Sequence, residues 1–190
     1  LKVIDPSNNI VFESGKWDAQ GEIDGLDAEY EPHYDLIKNE DDIQIYEGVM
    51  ADVDQAVTYT LLRASSYIKD NRIPPKGFLS THPSYDTTAI YGNAVSDPDF
   101  NKENLIEGTG SDIVNYRIPV TNETTYKVFA EICFQSIKPR VVEQFASISE
   151  PDINQFVGMY NALPNIPFIM KSDSLSVFVT DVGDDGSTLN

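Results

Sequence analysis

The sequence has one cysteine and two histidines in 190 residues, and only 13 basic side chains against 31 acidic ones. Each scarcity removes a class of chemistry. Cys133 alone can close no internal disulfide, offers no thiolate pair to zinc and completes no C-x-x-C-H for covalent haem. It lies in the apolar run VFAEICFQSI with no basic neighbour in sequence, which suits a small sheet or core residue rather than a reactive thiol. His33 and His82 stand in separate polar stretches without H-x-H or H-x-x-x-H spacing, so both read as exposed loop histidines. No run approaches the ~18 apolar residues of a membrane helix. G-x-S-x-G, Walker A and G-x-G-x-x-G are missing, which leaves no motif on which to base an enzyme. A formal charge of −18 repels polyanions and argues against nucleic-acid binding.

What is there points to strands. The length suits one domain with a core of its own, and 41% hydrophobic with 11% aromatic residues fits a β-rich globular chain. LKVIDPSNNIVFES reads as a hairpin turning at Asp5 to Asn9. The Gly- and Asp-rich segment that follows reads as a loop, and β character resumes in IQIYEGVMAD and AVTYTLLRASSYI, with Val57, Tyr59 and Leu61 on alternate positions. Residues 79–110 read as a long irregular loop. SDIVNYRIPV and TTYKVFAEICFQSI then alternate cleanly and are expected to pair as an antiparallel hairpin across Thr121, Asn122 and Glu123. Helical spacing over 138–163, opened by Pro139 and again by Pro151, predicts a short helical insertion, and SLSVFVTDV a last strand. The expected fold is mainly β: a single antiparallel β-sandwich over 1–190, immunoglobulin- or fibronectin-like, with a helical insertion near its C-terminal end. The opening LKVID reads as the inside of a strand and suggests a C-terminal fragment of a longer chain.

Candidate sites are few. DPDFNKEN sets Asp97, Asp99, Asn101 and Glu103 at alternate positions, as a calcium loop sets its oxygens. Lys102 stands where such a loop needs glycine, and Gly108 where it needs its bidentate acid. Asp181, Asp184 and Asp185 in the acidic tail form a second cation candidate. In KDNRIPPKGF, Pro74 and Pro75 fix φ and remove amide donors, Gly77 allows a reversal, and Asn71 and Arg72 have nearby groups to bond. That stretch reads as a structural corner, with a docking surface as its alternative.

The ordered segments IVFESGKWD, IQIYEGVM, YIKDNRIPPKGF, GSDIVNYRIPV and YKVFAEICFQSIKPRVVEQF together resemble the C-terminal β-rich, non-haem domain of bacterial multihaem c-type cytochromes. The resemblance runs from Leu1 to Phe145 and is sharpest at Lys69 to Phe78, with Phe134 to Ile137 and Arg140. It implies an accessory scaffold or docking domain of an electron-transfer protein, periplasmic or extracellular, that holds no haem itself. The haems would sit on C-x-x-C-H motifs upstream of Leu1, making the haem-binding region of the same parent chain the expected partner. The family pattern also places β-structure before LKVID, so a missing neighbour would leave an open strand edge for a homo-oligomer. The alternative is a secreted binding module for calcium or carbohydrate, with Trp17, Tyr85 and Tyr91 as contacts.

Overall fold

The computed structural model describes residues 1–26, 29–180 and 187–189, so Asp181, Asp184 and Asp185 lie outside the described residues. The first half of the chain forms β1 (Lys2–Ile4), β2 (Ile10–Glu13), β3 (Leu36–Ile37), β4 (Gly48–Ala51), β5 (Val57–Thr58) and β6 (Ser66–Asp70). Two small strands, β7 (Lys102–Glu103) and β8 (Ile106–Glu107), precede β9 (Asn115–Tyr116) and β10 (Ile118–Val120). Then come β11 (Thr125–Phe134), α1 (Pro139–Ala146), α2 (Pro151–Asn161), β12 (Phe168–Phe178) and β13 (Ser187–Leu189). The fold is mainly β, built from open and mostly antiparallel sheets with two helices. The chain forms two compact units: Leu1–Gly25, Asn39–Asp41 and Ile118–Leu189 make the first, and Leu26–Lys38 with Asp42–Arg117 the second.

The first unit is organised on an antiparallel sheet of order β12-β11-β1-β2. The β1–β2 turn is locked by Asp5, whose carboxylate accepts the backbone N–H groups of Ser7 and Asn9, each at 2.8 Å. Asn8 takes the left-handed φ of 65° that such a turn requires, and asparagine tolerates it. Val3 faces Phe12 on one neighbour and Val128 on the other, and Val3 and Phe12 are buried. Tyr126, also buried, donates its hydroxyl hydrogen to the carbonyl of Asn122 at 3.1 Å and so ties down the turn before its own strand.

The expected hairpin between the strands on either side of Asn122 does not form. β11 has both ladder edges occupied, by β1 and β12, while β10 pairs with β13. In β10 the buried Ile118 and Val120 flank an exposed Pro119, which has no N–H to give to a ladder. β1 is likewise an interior strand, and among the described residues the outer strands of this sheet are β12 and β2.

Both helices begin on proline, where an absent amide costs nothing. They meet through Phe145 and Phe156, edge to face with ring centres 6.3 Å apart, and α1 buries Val142. Gly21 is irreplaceable beside them. At φ +82° a Cβ would lie 2.2 Å from the carbonyl oxygen of Asn165, where the Gln135 amide bonds both Gly21 and Asn165.

The second unit contains a three-stranded antiparallel sheet β5-β4-β6, a parallel pair β3–β9 and the β7–β8 hairpin. Buried Ile37, Val49, Ala51 and Phe100 form its apolar interior. The strand expected through Val57, Tyr59 and Leu61 stops at Thr58, and a turn over 60–64 leaves Leu61 and Leu62 in solvent. Residues 79–110 carry two 3₁₀ turns and β7–β8 within otherwise irregular chain.

Phe12→Ala is expected to lower the unfolding free energy by about 3–5 kcal/mol in urea denaturation, and Leu62→Ala, at an exposed position, by less than about 0.5 kcal/mol.

Candidate functional site

The second unit carries a polar cluster within its interior, assembled from five separated stretches of chain. The turn at Asp97 supplies one wall. Its Oδ1 accepts the backbone N–H of Asp99 at 2.7 Å and of Phe100 at 3.0 Å, which closes the turn and leaves Oδ2 facing His33 Nε2 at 2.9 Å. The side chains of Asp97 and His33 are all but inaccessible to solvent. His33 is therefore not the exposed loop histidine that its polar surroundings in sequence suggest. Phe100 covers its ring edge to face at 5.0 Å. His82 is exposed, and its Nδ1 accepts the N–H of Ser84.

Two carboxamides close the other side of the imidazole. Asn71 Nδ2 approaches Nδ1 of His33 at 3.0 Å and Gln44 Nε2 approaches it at 2.9 Å. Neither amide can be turned round without loss. Asn71 Oδ1 accepts the Glu47 N–H at 2.9 Å while Nδ2 also serves the Ile45 carbonyl, and Gln44 Oε1 accepts the Tyr34 N–H at 2.9 Å. With two N–H donors aimed at it, Nδ1 is an acceptor, and the ring proton sits on Nε2, donated to Asp97. Both nitrogens of His33 are thereby committed inside the protein.

Asp112 lies on the far side, with its Oδ2 3.9 Å from His33 Nε2. It accepts the Tyr46 hydroxyl at 2.6 Å, a Gln44 N–H at 3.4 Å and, through Oδ1, the backbone N–H of Ile113 at 2.9 Å. Burial, and then the bond to Asp112, push the Tyr46 phenol well above its ordinary range.

Two groupings have the spacing of metal ligands: His33 with Asp97 and Asp112, and Asp35 with Asp97 and Asp99, each with ligand atoms within 4.8 Å of one another. The first is wired against coordination. A metal-bound imidazole donates its other N–H to an acceptor, whereas Nδ1 here meets two donors. The second is free of that conflict. Of the four oxygen ligands suggested by DPDFNKEN, the fold therefore gathers Asp97 and Asp99 and adds Asp35 from another stretch. Asn101 is turned elsewhere. Its Nδ2 donates to the Phe78 carbonyl at 2.9 Å and its Oδ1 accepts the Gly110 N–H at 3.1 Å, from a buried position at φ 56°. Glu103 is exposed on β7, opposite Ile106.

The stretch Lys69 to Phe78 has two sides. Inward, Lys69 is buried, with Nζ donating to the Ile45 carbonyl at 2.8 Å and pairing with Glu47 at 3.2 Å. Asn71 is wholly buried as described. Outward, Arg72 forks onto Asp70 through Nε and Nη2, and Ile73, Pro75, Lys76 and Gly77 face solvent. Gly77 sits at φ +89°, its N–H donated to the Gly108 carbonyl at 2.8 Å. Among the aromatic candidates, Tyr91 stacks on Tyr67 at 5.7 Å, Tyr85 tilts against Phe78, and Trp17 bridges to Ile23 in the first unit.

Sequence reasoning singled out Asn71, Asp97 and Asp99 but missed His33, Gln44, Lys69 and Asp112 as their partners. In sequence Asp112 stands only as one of the residues between the apolar positions of SDIVNYRIPV. No protein-family model, curated protein or solved structure matches the chain.

Asn71→Ala withdraws the partner of the Glu47 N–H and one donor to His33, and is expected to cost about 2–4 kcal/mol of stability. In the unaltered protein, nitrogen NMR of the His33 ring should show its proton on Nε2; a proton on Nδ1 would overturn the network as described.

Proposed function

We propose that the chain is a non-catalytic scaffold and docking module, the haem-free accessory part of a multihaem c-type cytochrome, acting outside the cytoplasm. The observation that carries this reading is the two-sidedness of Lys69 to Phe78. Its inner residues are held by the buried network through Lys69 and Asn71, and its outer residues are presented on a backbone stiffened by Pro74, Pro75 and the Gly77 reversal. A surface so anchored loses little conformational freedom when a partner covers it. Exposed Ile73 and Leu79 beside Lys76 give it apolar area and a positive charge in a chain of net charge −18, while Arg72 is neutralised by Asp70. A haem-binding region, whose haem edges carry propionate carboxylates on an apolar ring, is complementary to that mixture. The saturated bonding of His33 supports a structural role for the most chemically versatile residue in the cluster.

In the first unit the sheet β12-β11-β1-β2 and the β10–β13 pair each bring buried side chains, Val3, Phe12 and Tyr126 from one and Ile118 and Val120 from the other. That supports a layered sandwich of immunoglobulin or fibronectin type.

A second reading, a calcium-binding module, is favoured by the convergence of Asp35, Asp97 and Asp99, since a hard cation takes several carboxylate oxygens at one point. Aromatic contacts for a carbohydrate have less support, because Tyr91 and Tyr85 are engaged with Tyr67 and Phe78.

The parent protein purified from its native source is expected to show haem absorption and to retain haem stain after denaturation on the polypeptide that contains these residues; a colourless parent would sink the cytochrome reading. The calcium reading predicts a melting temperature several degrees higher in calcium than in chelator, lost in Asp99→Asn, whereas coincident melting curves would remove it.

A further inference from the structure

The longest strand of the first unit is also its most exposed. β12 is the outer strand of its sheet, and among the described residues no strand pairs with its outer edge. Only Val177 among its residues is even partly buried, and Phe168, Met170, Leu175 and Phe178 are each more than 60% exposed. An edge of this length with apolar side chains is a template for another strand. Its charge is also unlike that of the chain. In a protein of net charge −18, β12 carries one lysine and one aspartate, Lys171 and Asp173, and its neighbour β11 carries Lys127 and Glu131. The ribbon is neutral where most of the chain repels its own kind.

The positions of those two charges select a partner. Lys171 and Asp173 stand opposite Ile132 and Ala130 of β11, on the same face of the sheet as Leu175. A two-fold axis perpendicular to the sheet keeps faces matched, so self-pairing must be centred on a residue. Centred on Lys171 or on Asp173, like charges would face each other. Centred on Ser172, Lys171 of each copy lies opposite Asp173 of the other, giving two cross-strand ion pairs with Leu175 next along the same face. A lone lysine on an edge deters indiscriminate pairing. With the aspartate two residues on, it admits a strand that presents acid opposite lysine, and a second copy does so.

We propose that the chain forms a two-fold dimer by antiparallel pairing of β12 with β12 of a second copy, centred on Ser172. This stands apart from the cytochrome reading and survives its failure. Sedimentation velocity of the 190-residue chain over a concentration series should show a monomer–dimer equilibrium. Lys171→Asp, and separately Asp173→Lys, should each weaken it about tenfold or more by placing like charges opposite each other twice. The double exchange of Lys171→Asp with Asp173→Lys should restore it, because the pairs are reformed with their ends reversed. Both side chains are exposed, and circular dichroism melts will verify that every variant is folded. A wild-type chain that stays monomeric, single variants that dimerise like wild type, or a folded double exchange that stays monomeric would each overturn the proposal. So would hydrogen exchange showing β12 protected within a monomeric parent protein, which would give the edge to another part of that protein.

Discussion

The carboxamide of Asn71 decides which way three other groups point. Its oxygen is claimed by the Glu47 N–H, so its nitrogen must face the Ile45 carbonyl and His33. That fixes Nδ1 of His33 as an acceptor, which puts the ring proton on Nε2 and directs it to Asp97. Asp97 in turn holds the turn that positions Asp99 and Phe100, and Phe100 covers the ring. A buried polar network of this kind stabilises only when every member is satisfied, and here its directionality leaves a single consistent arrangement. The second unit is specified as much by that chain of donors and acceptors as by its apolar interior.

The same wiring explains how a strongly acidic chain buries carboxylates. Glu47 is held beside Lys69, Asp97 by two backbone amides and an imidazole N–H, and Asp112 by a phenol, a carboxamide and a backbone amide. Removing a carboxylate from water is costly, and fixed N–H and O–H dipoles recover much of what hydration supplied. Most of these donors are neutral, so the arrangement does not depend on a matching number of cations, which the composition could not provide.

Local chemistry was legible in the sequence, and long-range pairing was not. The Asp5 to Asn9 turn and the prolines opening α1 and α2 are signals carried by adjacent residues, and they sit where those signals put them. The alternation before Asn122 was also real, since Ile118 and Val120 are buried, but after it only Tyr126 is buried, and Ile132 and Phe134, expected on the same face, are exposed. What alternation cannot encode is which strand lies next door: β11 took β1 and β12, leaving β10 to β13. The site failed in the same manner. DPDFNKEN marks Asp97 and Asp99 by spacing, but Asp35, His33 and Asp112 reach them from other parts of the chain. A histidine among polar neighbours looks solvated until the fold shows that those neighbours are its hydrogen-bond partners.

The stretch KDNRIPPKGF illustrates why polarity in sequence is a poor guide to exposure. Lys69 and Asn71 go inward while Arg72 goes outward, because on the extended chain leaving β6 successive side chains face opposite ways. The inward pair is fixed by what it bonds. The prolines then prevent the chain from rejoining the sheet, so the outward residues inherit the rigidity of the inward ones without taking part in the network. The outward side chains can therefore change without disturbing the donors and acceptors that hold the backbone beneath them.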